Sequence, residues 1–254
     1  MSLLDDILAV KREEVGRLLG APPDPSGAPP PRSLARALST GRTPRVIAEV
    51  KRASPSKGTL RELPDPVPLA CSYAAAGATA ISVLTDERWF KGSLGDLSAV
   101  RGAIDVPVLC KDFLVDPIQV TAARAAGADA CLLIVAALPG GALGEMLAAV
   151  RDGGMEALVE AHDADERDRA VDVGARIIGV NNRDLRTFHT DLAVAEGLLP
   201  GIPADRLRVA ESGLFGRADI DRMVAAGADA CLVGEALLRA EEPGARLANW
   251  LAGP

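Results

Sequence analysis

From about residue 46 onward, hydrophobic positions fall into short unbroken runs separated by longer mixed stretches. Fragments built on Gly-Ala recur: AAAGATAISVL, ARAAGADACLLIV, AVDVGARIIGV and MVAAGADACLVG. Their glycines, Gly77, Gly127, Gly174 and Gly227, are spaced by 50, 47 and 53 residues. Each fragment reads as the end of a helix, a glycine at its C-terminal cap and then a buried strand. A second strand lies within each interval. The spacing predicts strands beginning near Val46, Ala80, Val106, Ala130, Ala157, Arg176, Arg208 and Ala230. Each is followed by a segment able to form a helix. The strands are apolar throughout, as parallel strands covered on both faces are. Strict alternation of strand and helix demands a parallel sheet, which an open doubly wound sheet or a closed barrel would satisfy. The evenness of the repeat and the lack of GxGxxG after the first strand favour closure. The predicted fold class is α/β, a closed (β/α)8 TIM barrel with an N-terminal helical extension.

That extension covers residues 1–45. Leu3, Leu4, Ile7, Leu8, Val15, Leu18 and Leu19 recur at helical spacing with charges between them. The stretch APPDPSGAPPP at 21–31 carries six prolines, which forbid a continuing helix and predict a semi-stiff linker. A short helix over roughly Ser33 to Leu38 is expected next. Residues 1–254 thus read as a single barrel domain with this preface.

Polar residues at strand ends change the picture. On the outer face of a barrel strand a charge would be buried against helices without a partner. Charges near the C-terminal end should therefore point into the mouth, where barrel active sites lie. Strand one ends with Glu49 and Lys51, two apart and so on one face. Strand three ends with Lys111 and Phe113, and strand five carries Glu160. Strand six carries Asn181 and Arg183, strand seven ends at Glu211, Ser212 and Gly213, and strand eight at Gly234 and Glu235. Strands two and four are less polar, with TDE at 85–87 in one and Leu132 and Ile134 in the other. Each of these charges alone would read as a paired surface group. Together, converging lysines and carboxylates suit general acid–base catalysis. The glycines in SGLFGR (212–217) and GEALL (234–238) fit loops that bind phosphate through backbone N–H groups, or simply tight turns. SPSKG at 54–58 reads as an anion-binding loop or a proline-shaped turn.

Composition narrows the function. A chain of 254 residues with 48% hydrophobic content is the usual size of one barrel. Its net charge of −7 argues against a nucleic-acid or anionic-membrane binder. Cys71, Cys110, Cys131 and Cys231 form no CxxC pair and sit among apolar residues, as expected of a reducing cytoplasm. The N-terminus has acids inside its apolar stretch and fails as a signal peptide, and no apolar run approaches a membrane span. His162 and His189 have no metal-like cluster around them. His162 can face the mouth two residues beyond Glu160, but the pattern alone assigns it no proton-transfer role. Tyr73 and Trp250 are expected to pack in helices. No Ser/His/Asp arrangement, P-loop or dinucleotide fingerprint is present.

The runs IAEVKRASPSKG (47–58), SVLTDERWFKGSLGDL (82–97), VLCKDFLVDPIQV (108–120), LLIV (132–135), LVEAHD (158–163), IIGVNNRDLRTFHTDL (177–192), VAESG (209–213) and LVGEALL (232–238) resemble, in order, those of the indole-3-glycerol-phosphate synthase family. The resemblance covers essentially the whole chain. It implies ring closure of 1-(2-carboxyphenylamino)-1-deoxyribulose 5-phosphate to indole-3-glycerol phosphate, with loss of carbon dioxide and water. It implies no metal or organic cofactor, a phosphorylated small-molecule substrate, a place in tryptophan biosynthesis, and no obligate protein partner. By motif position, Lys111 would be the general acid on the ribulose carbonyl oxygen and Glu160 would move protons in the dehydration. Glu49, Lys51 and Asn181 would position and stabilise charge, with Lys51 near the anthranilate carboxylate. Arg183 would hold Glu49 or the substrate carboxylate. Ser54, Ser212, Gly213 and Gly234 would contribute to the phosphate seat, and Phe90, Phe113, Leu132 and Ile134 would wall the anthranilate ring. Glu235 stands where many relatives have serine beside the phosphate. It is expected to point its acid away or to act through its backbone N–H. The proline-rich linker is also atypical, and the chain is too short for the second, isomerase barrel to which some relatives are fused.

Overall fold

The computed structural model describes residues 3–55, 57–184, 187 and 189–252. Eight parallel strands close on one another. They are β1 (Val46–Val50), β2 (Ala80–Leu84), β3 (Val108–Lys111), β4 (Ala130–Ile134), β5 (Glu156–Ala161), β6 (Ile177–Asn181), β7 (Leu207–Glu211) and β8 (Ala230–Val233). Each pairs with its sequence neighbours, and β1 closes on β8 with Val46 opposite Cys231. The predicted starts lie within about two residues of these bounds, with Val106 and Pro107 falling in the turn before β3.

The glycine repeat has a single backbone cause. Gly77, Gly127, Gly174 and Gly227 have φ of 96°, 92°, 77° and 101°, the left-handed region that favours glycine. In each case the next N–H reaches back five residues, as from Ala78 to the Tyr73 carbonyl and from Ala128 to the Ala123 carbonyl. The turn satisfies the last helical carbonyls and aims the chain directly into a strand.

Side-chain parity divides the apolar residues in two. Val46, Ala48 and Val50 of β1 join the layer between strands and helices, with Tyr73, Leu97 and Met223. Ile47 of β1, Leu109, Leu132, Leu158, Val209 and Leu232 fill the barrel interior. Odd positions on β1 therefore continue inward to Glu49, and odd positions on β3 to Lys111, by the two-residue period of a strand.

The extension touches both ends of the barrel. Helix α1 (Leu3–Gly20) packs Ile7 and Leu8 with the interior cluster at the mouth. Helix α2 (Leu34–Ser39), N-capped by Ser33, buries Leu34, Ala35 and Leu38 with the same cluster from the β7 N-terminal side. The proline-rich linker runs along the outside between them. Prolines lack an N–H, so chiefly their carbonyls need partners, and guanidinium groups supply these. Arg124 Nη2 donates to the Ala28 carbonyl at 3.2 Å and Arg101 Nη2 to the Pro30 carbonyl at 3.2 Å.

One buried cation ties α1 down. Lys11, 1% exposed, lies 2.7 Å from Asp86 Oδ2, 2.7 Å from Asp112 Oδ1 and 2.9 Å from Glu14 Oε2. Asp86 caps the helix Glu87–Phe90, and Asp112 accepts the Phe113 N–H at 2.7 Å and the Thr85 hydroxyl at 2.7 Å. Lys11→Met would leave Asp86 buried without its cation. A loss of about 3 kcal/mol is expected in urea unfolding, because breaking a buried pair strands the remaining charge. An unchanged midpoint would show that the clamp contributes nothing to stability.

Candidate active site

At the C-terminal ends of the strands lies a cavity that opens to solvent. Every site residue nominated from the sequence lines it: Glu49, Lys51, Ser54, Phe90, Lys111, Phe113, Leu132, Ile134, Glu160, Asn181, Arg183, Ser212, Gly213, Gly234 and Glu235. Leu3, Leu4 and Ile7 of α1 complete one wall.

Lys111 sits at the centre of the charge array. Its Nζ lies 3.0 Å from Glu160 Oε2 and 3.4 Å from Glu211 Oε2. Burial pulls the ammonium towards neutrality, but Glu160, Glu211 and Glu49 outweigh it and hold the proton well above the ordinary lysine range. The two acids divide. Burial pushes Glu160 up, yet Lys111 and His162 overcome this and hold it well below the usual carboxylate range. Among the described ion pairs, Glu211 meets Lys111. Burial, reinforced by the neighbouring Glu160 charge, pushes it up to about 8 against the pull of Lys111. One carboxyl held low and one pushed high thus flank the same ammonium, the kind of division that acid–base chemistry uses.

Glu211 was visible in the sequence at the end of β7 but received no role. The signal that marks it is Gly179. That glycine faces inward on β6, two residues before Asn181, and a Cβ there would collide with the Glu211 carboxylate. A strand glycine on the inner face makes room for a neighbour. Gly234 does the same just beyond β8: a Cβ would strike Glu49 Oε1, whose partner is the Lys51 ammonium.

The polar loops are fixed by local chemistry. Asn181 Oδ1 accepts the Arg183 N–H at 3.0 Å. Buried Asn182 accepts from Ala195 N at 2.9 Å and donates to the Ser212 carbonyl at 3.2 Å. It thereby supports Ser212 and Gly213 in left-handed conformations, with φ of 63° and 76°. Phe90 and Phe113 form a tilted pair at the mouth with ring centroids 6.2 Å apart.

The Glu235 carboxylate is held by cations: Lys57 Nζ at 2.6 Å, Arg239 Nε at 2.8 Å and Arg183 Nη2 at 3.9 Å. Burial raises its pKa, and Lys57 and Arg239 outweigh that and keep it ionised. Lys57, after β1, is thus tied to Glu235, after β8. Arg183 reaches Glu235, a partner that strand-face reasoning did not bring to it. His162 also meets the site, with Nε2 3.3 Å from Glu160 Oε1.

Among the described residues, no group of three His, Cys, Asp or Glu side chains is arranged to hold a metal ion. No helix among them is long and apolar enough to cross a membrane. Proton donors and acceptors converging on one cavity at the mouth of a closed barrel define a barrel enzyme of acid–base type. Comparison with known proteins makes this specific. The family model "Indole-3-glycerol phosphate synthase" matches residues 4–249. A protein of that name from Kineococcus radiotolerans is 49% identical, covering 99% of this chain and 96% of its own. Those from Micrococcus luteus (50% identical; 96% and 94% covered) and Burkholderia vietnamiensis (47%; 97% and 98%) are similar throughout. The chain belongs to the indole-3-glycerol phosphate synthase family. A solved structure named "Native KDPGal structure" shares the fold alone, with TM-score 0.57 and 18% identity over 84% of this chain and 93% of that one.

Proposed function

We infer that the chain converts 1-(2-carboxyphenylamino)-1-deoxyribulose 5-phosphate to indole-3-glycerol phosphate, as a carboxy-lyase of tryptophan biosynthesis. The observation that carries the reading is the Lys111 ammonium set between Glu160 and Glu211 beneath an aromatic-walled opening. Attack of the anthranilate ring carbon on the ribulose carbonyl is slow unless the oxygen receives a proton, and the Lys111 ammonium supplies it. The carbon–carboxylate bond then breaks, carbon dioxide leaves, and its electron pair restores the aromatic ring. In the dehydration the hydroxyl leaves as water, with Glu160 accepting and returning protons. Asn181, Glu49 and Lys51 orient the chain, Lys51 lying nearest the ring carboxylate. Phe90, Phe113, Leu132 and Ile134 hold the ring against the attacked carbon, so that orientation carries much of the barrier reduction.

Ser54, Ser212, Gly213 and Gly234, which line the cavity, take the phosphate end in this reading. In this reading the phosphate meets Glu235 already neutralised by Lys57, Arg183 and Arg239. Residues 1–254 act as one barrel domain whose extension, 1–45, closes part of the mouth. The setting is a reducing cytoplasm without nucleic acid, which four free thiols and the net charge of −7 support; the reading needs no metal and no obligate protein partner. Incubating the protein with the anilino-ribulose phosphate should yield indole fluorescence, equally with and without a chelator. Saturable binding without product would reduce the protein to a binder, isomerised substrate without fluorescence would make it an isomerase, and loss of activity with chelator would require a metal.

A further inference from the structure

The Glu160 carboxylate is held from two sides. Its Oε2 lies 3.0 Å from Lys111 Nζ, and its Oε1 lies 3.3 Å from His162 Nε2. The histidine arrives there by strand parity, two residues beyond Glu160 and on the same face. Its ring is set by the helix that follows. Asp163 caps the helix Ala164–Asp172 by accepting the Glu166 N–H at 2.9 Å, which brings Glu166 into the first turn. Glu166 Oε2 then accepts both the His162 backbone N–H at 2.8 Å and ring Nδ1 at 3.0 Å. An acid thus stands beside each ring nitrogen, Glu166 at Nδ1 and Glu160 at Nε2.

We propose that His162 is a positioning residue for the reaction: as an imidazolium oriented by Glu166, it keeps the Glu160 carboxylate ionised and turned towards Lys111. The proposal rests on the reading of Glu160 as the proton-transfer residue. Two cations on two oxygens lock rotation of the carboxylate, since turning it would break both pairs. They also decide which acid holds the shared proton. Glu160 faces Lys111 from β3 and His162 from just beyond its own strand, whereas among the described ion pairs Glu211, from β7, meets Lys111. The groups facing His162 itself are Glu160 on β5 and Glu166 on the following helix. Burial works against its charge, but these two acids outweigh it and raise the ring to about 10, so it stays charged through neutrality.

The test is His162→Asn beside Glu166→Gln, with Glu160→Gln as the reference. Asparagine keeps a donor but removes the charge. Glu160 then loses a cation, its pKa rises, and the acidic limb of kcat/KM moves up by about one pH unit. The expected kcat loss is about 10- to 100-fold, the effect of a misaimed catalytic group, with KM within about twofold. Glu166→Gln should shift both in the same direction by less, and it keeps the idea testable should the asparagine variant fold poorly. In the wild type, ¹⁵N NMR of His162 at pH 7 should show both ring nitrogens protonated. A neutral ring would overturn the proposal, as would a folded variant whose kcat and acidic limb match wild type, or one altered in KM alone. If Glu160→Gln is itself fully active, the reading of Glu160 fails; if it is impaired while both His162→Asn and Glu166→Gln are normal, only the role of His162 fails.

Discussion

Lys111→Ala should abolish measurable ring closure while the barrel stays folded. The ammonium is the group between Glu160 and Glu211, and no other lysine reaches both acids among the described pairs. Without it the carbonyl oxygen must develop charge unprotonated in a dry pocket, a loss of about 10³-fold or more in kcat. The fold should survive because the acids left behind can respond by taking up a proton. Glu211 is already pushed up to about 8 and has the least distance to go. The measurement is single-turnover indole fluorescence beside circular dichroism and urea unfolding. A variant turning over at the wild-type rate would remove the acid assignment, whatever its stability.

Glu160→Gln is the second large effect, and it should fall later in the reaction. Glutamine keeps the shape and a hydrogen bond to Lys111 but cannot take a proton. The first ring closure should proceed, and dehydration should slow by about 10²-fold. Rapid quenching should then trap a ring-closed species before indole appears, with substrate binding little changed. The pH dependence of stability carries a sign to check. The folded pKa of Glu160 is lowered, so its contribution is present above the ordinary carboxylate pKa and is lost as pH falls through the folded value. In the glutamine variant that acid-side loss should disappear. Weaker binding with an unaltered dehydration step would contradict the role given to this residue.

Repetition along the chain carried much of the architecture. Each of the four glycines lies at a point where the backbone must enter the left-handed region, and each is followed by an unbroken apolar run. Such local requirements are written residue by residue, so the eight strands and their order could be read directly. Parity did the same for the mouth: once a strand is placed, its two-residue period decides that Glu49, Lys111, Glu160 and Asn181 share the inner face.

What no single strand could reveal is how those ends meet across the barrel. Glu211 and Glu160 are chemically alike and alike buried, and their different distances to Lys111 and His162 push one carboxyl up and hold the other down. His162 looked incidental because its partners, Glu160 and Glu166, act through space and through a helix cap. Glu235 looked misplaced until Lys57, Arg183 and Arg239 surrounded it. Nor could the proline-rich linker be placed from its composition, since its donors come from Arg101 and Arg124, far along the chain. Backbone conformation and face alternation are short-range and belong to the sequence. Charge state depends on burial and on neighbours from other strands, and only closure of the barrel brings those together.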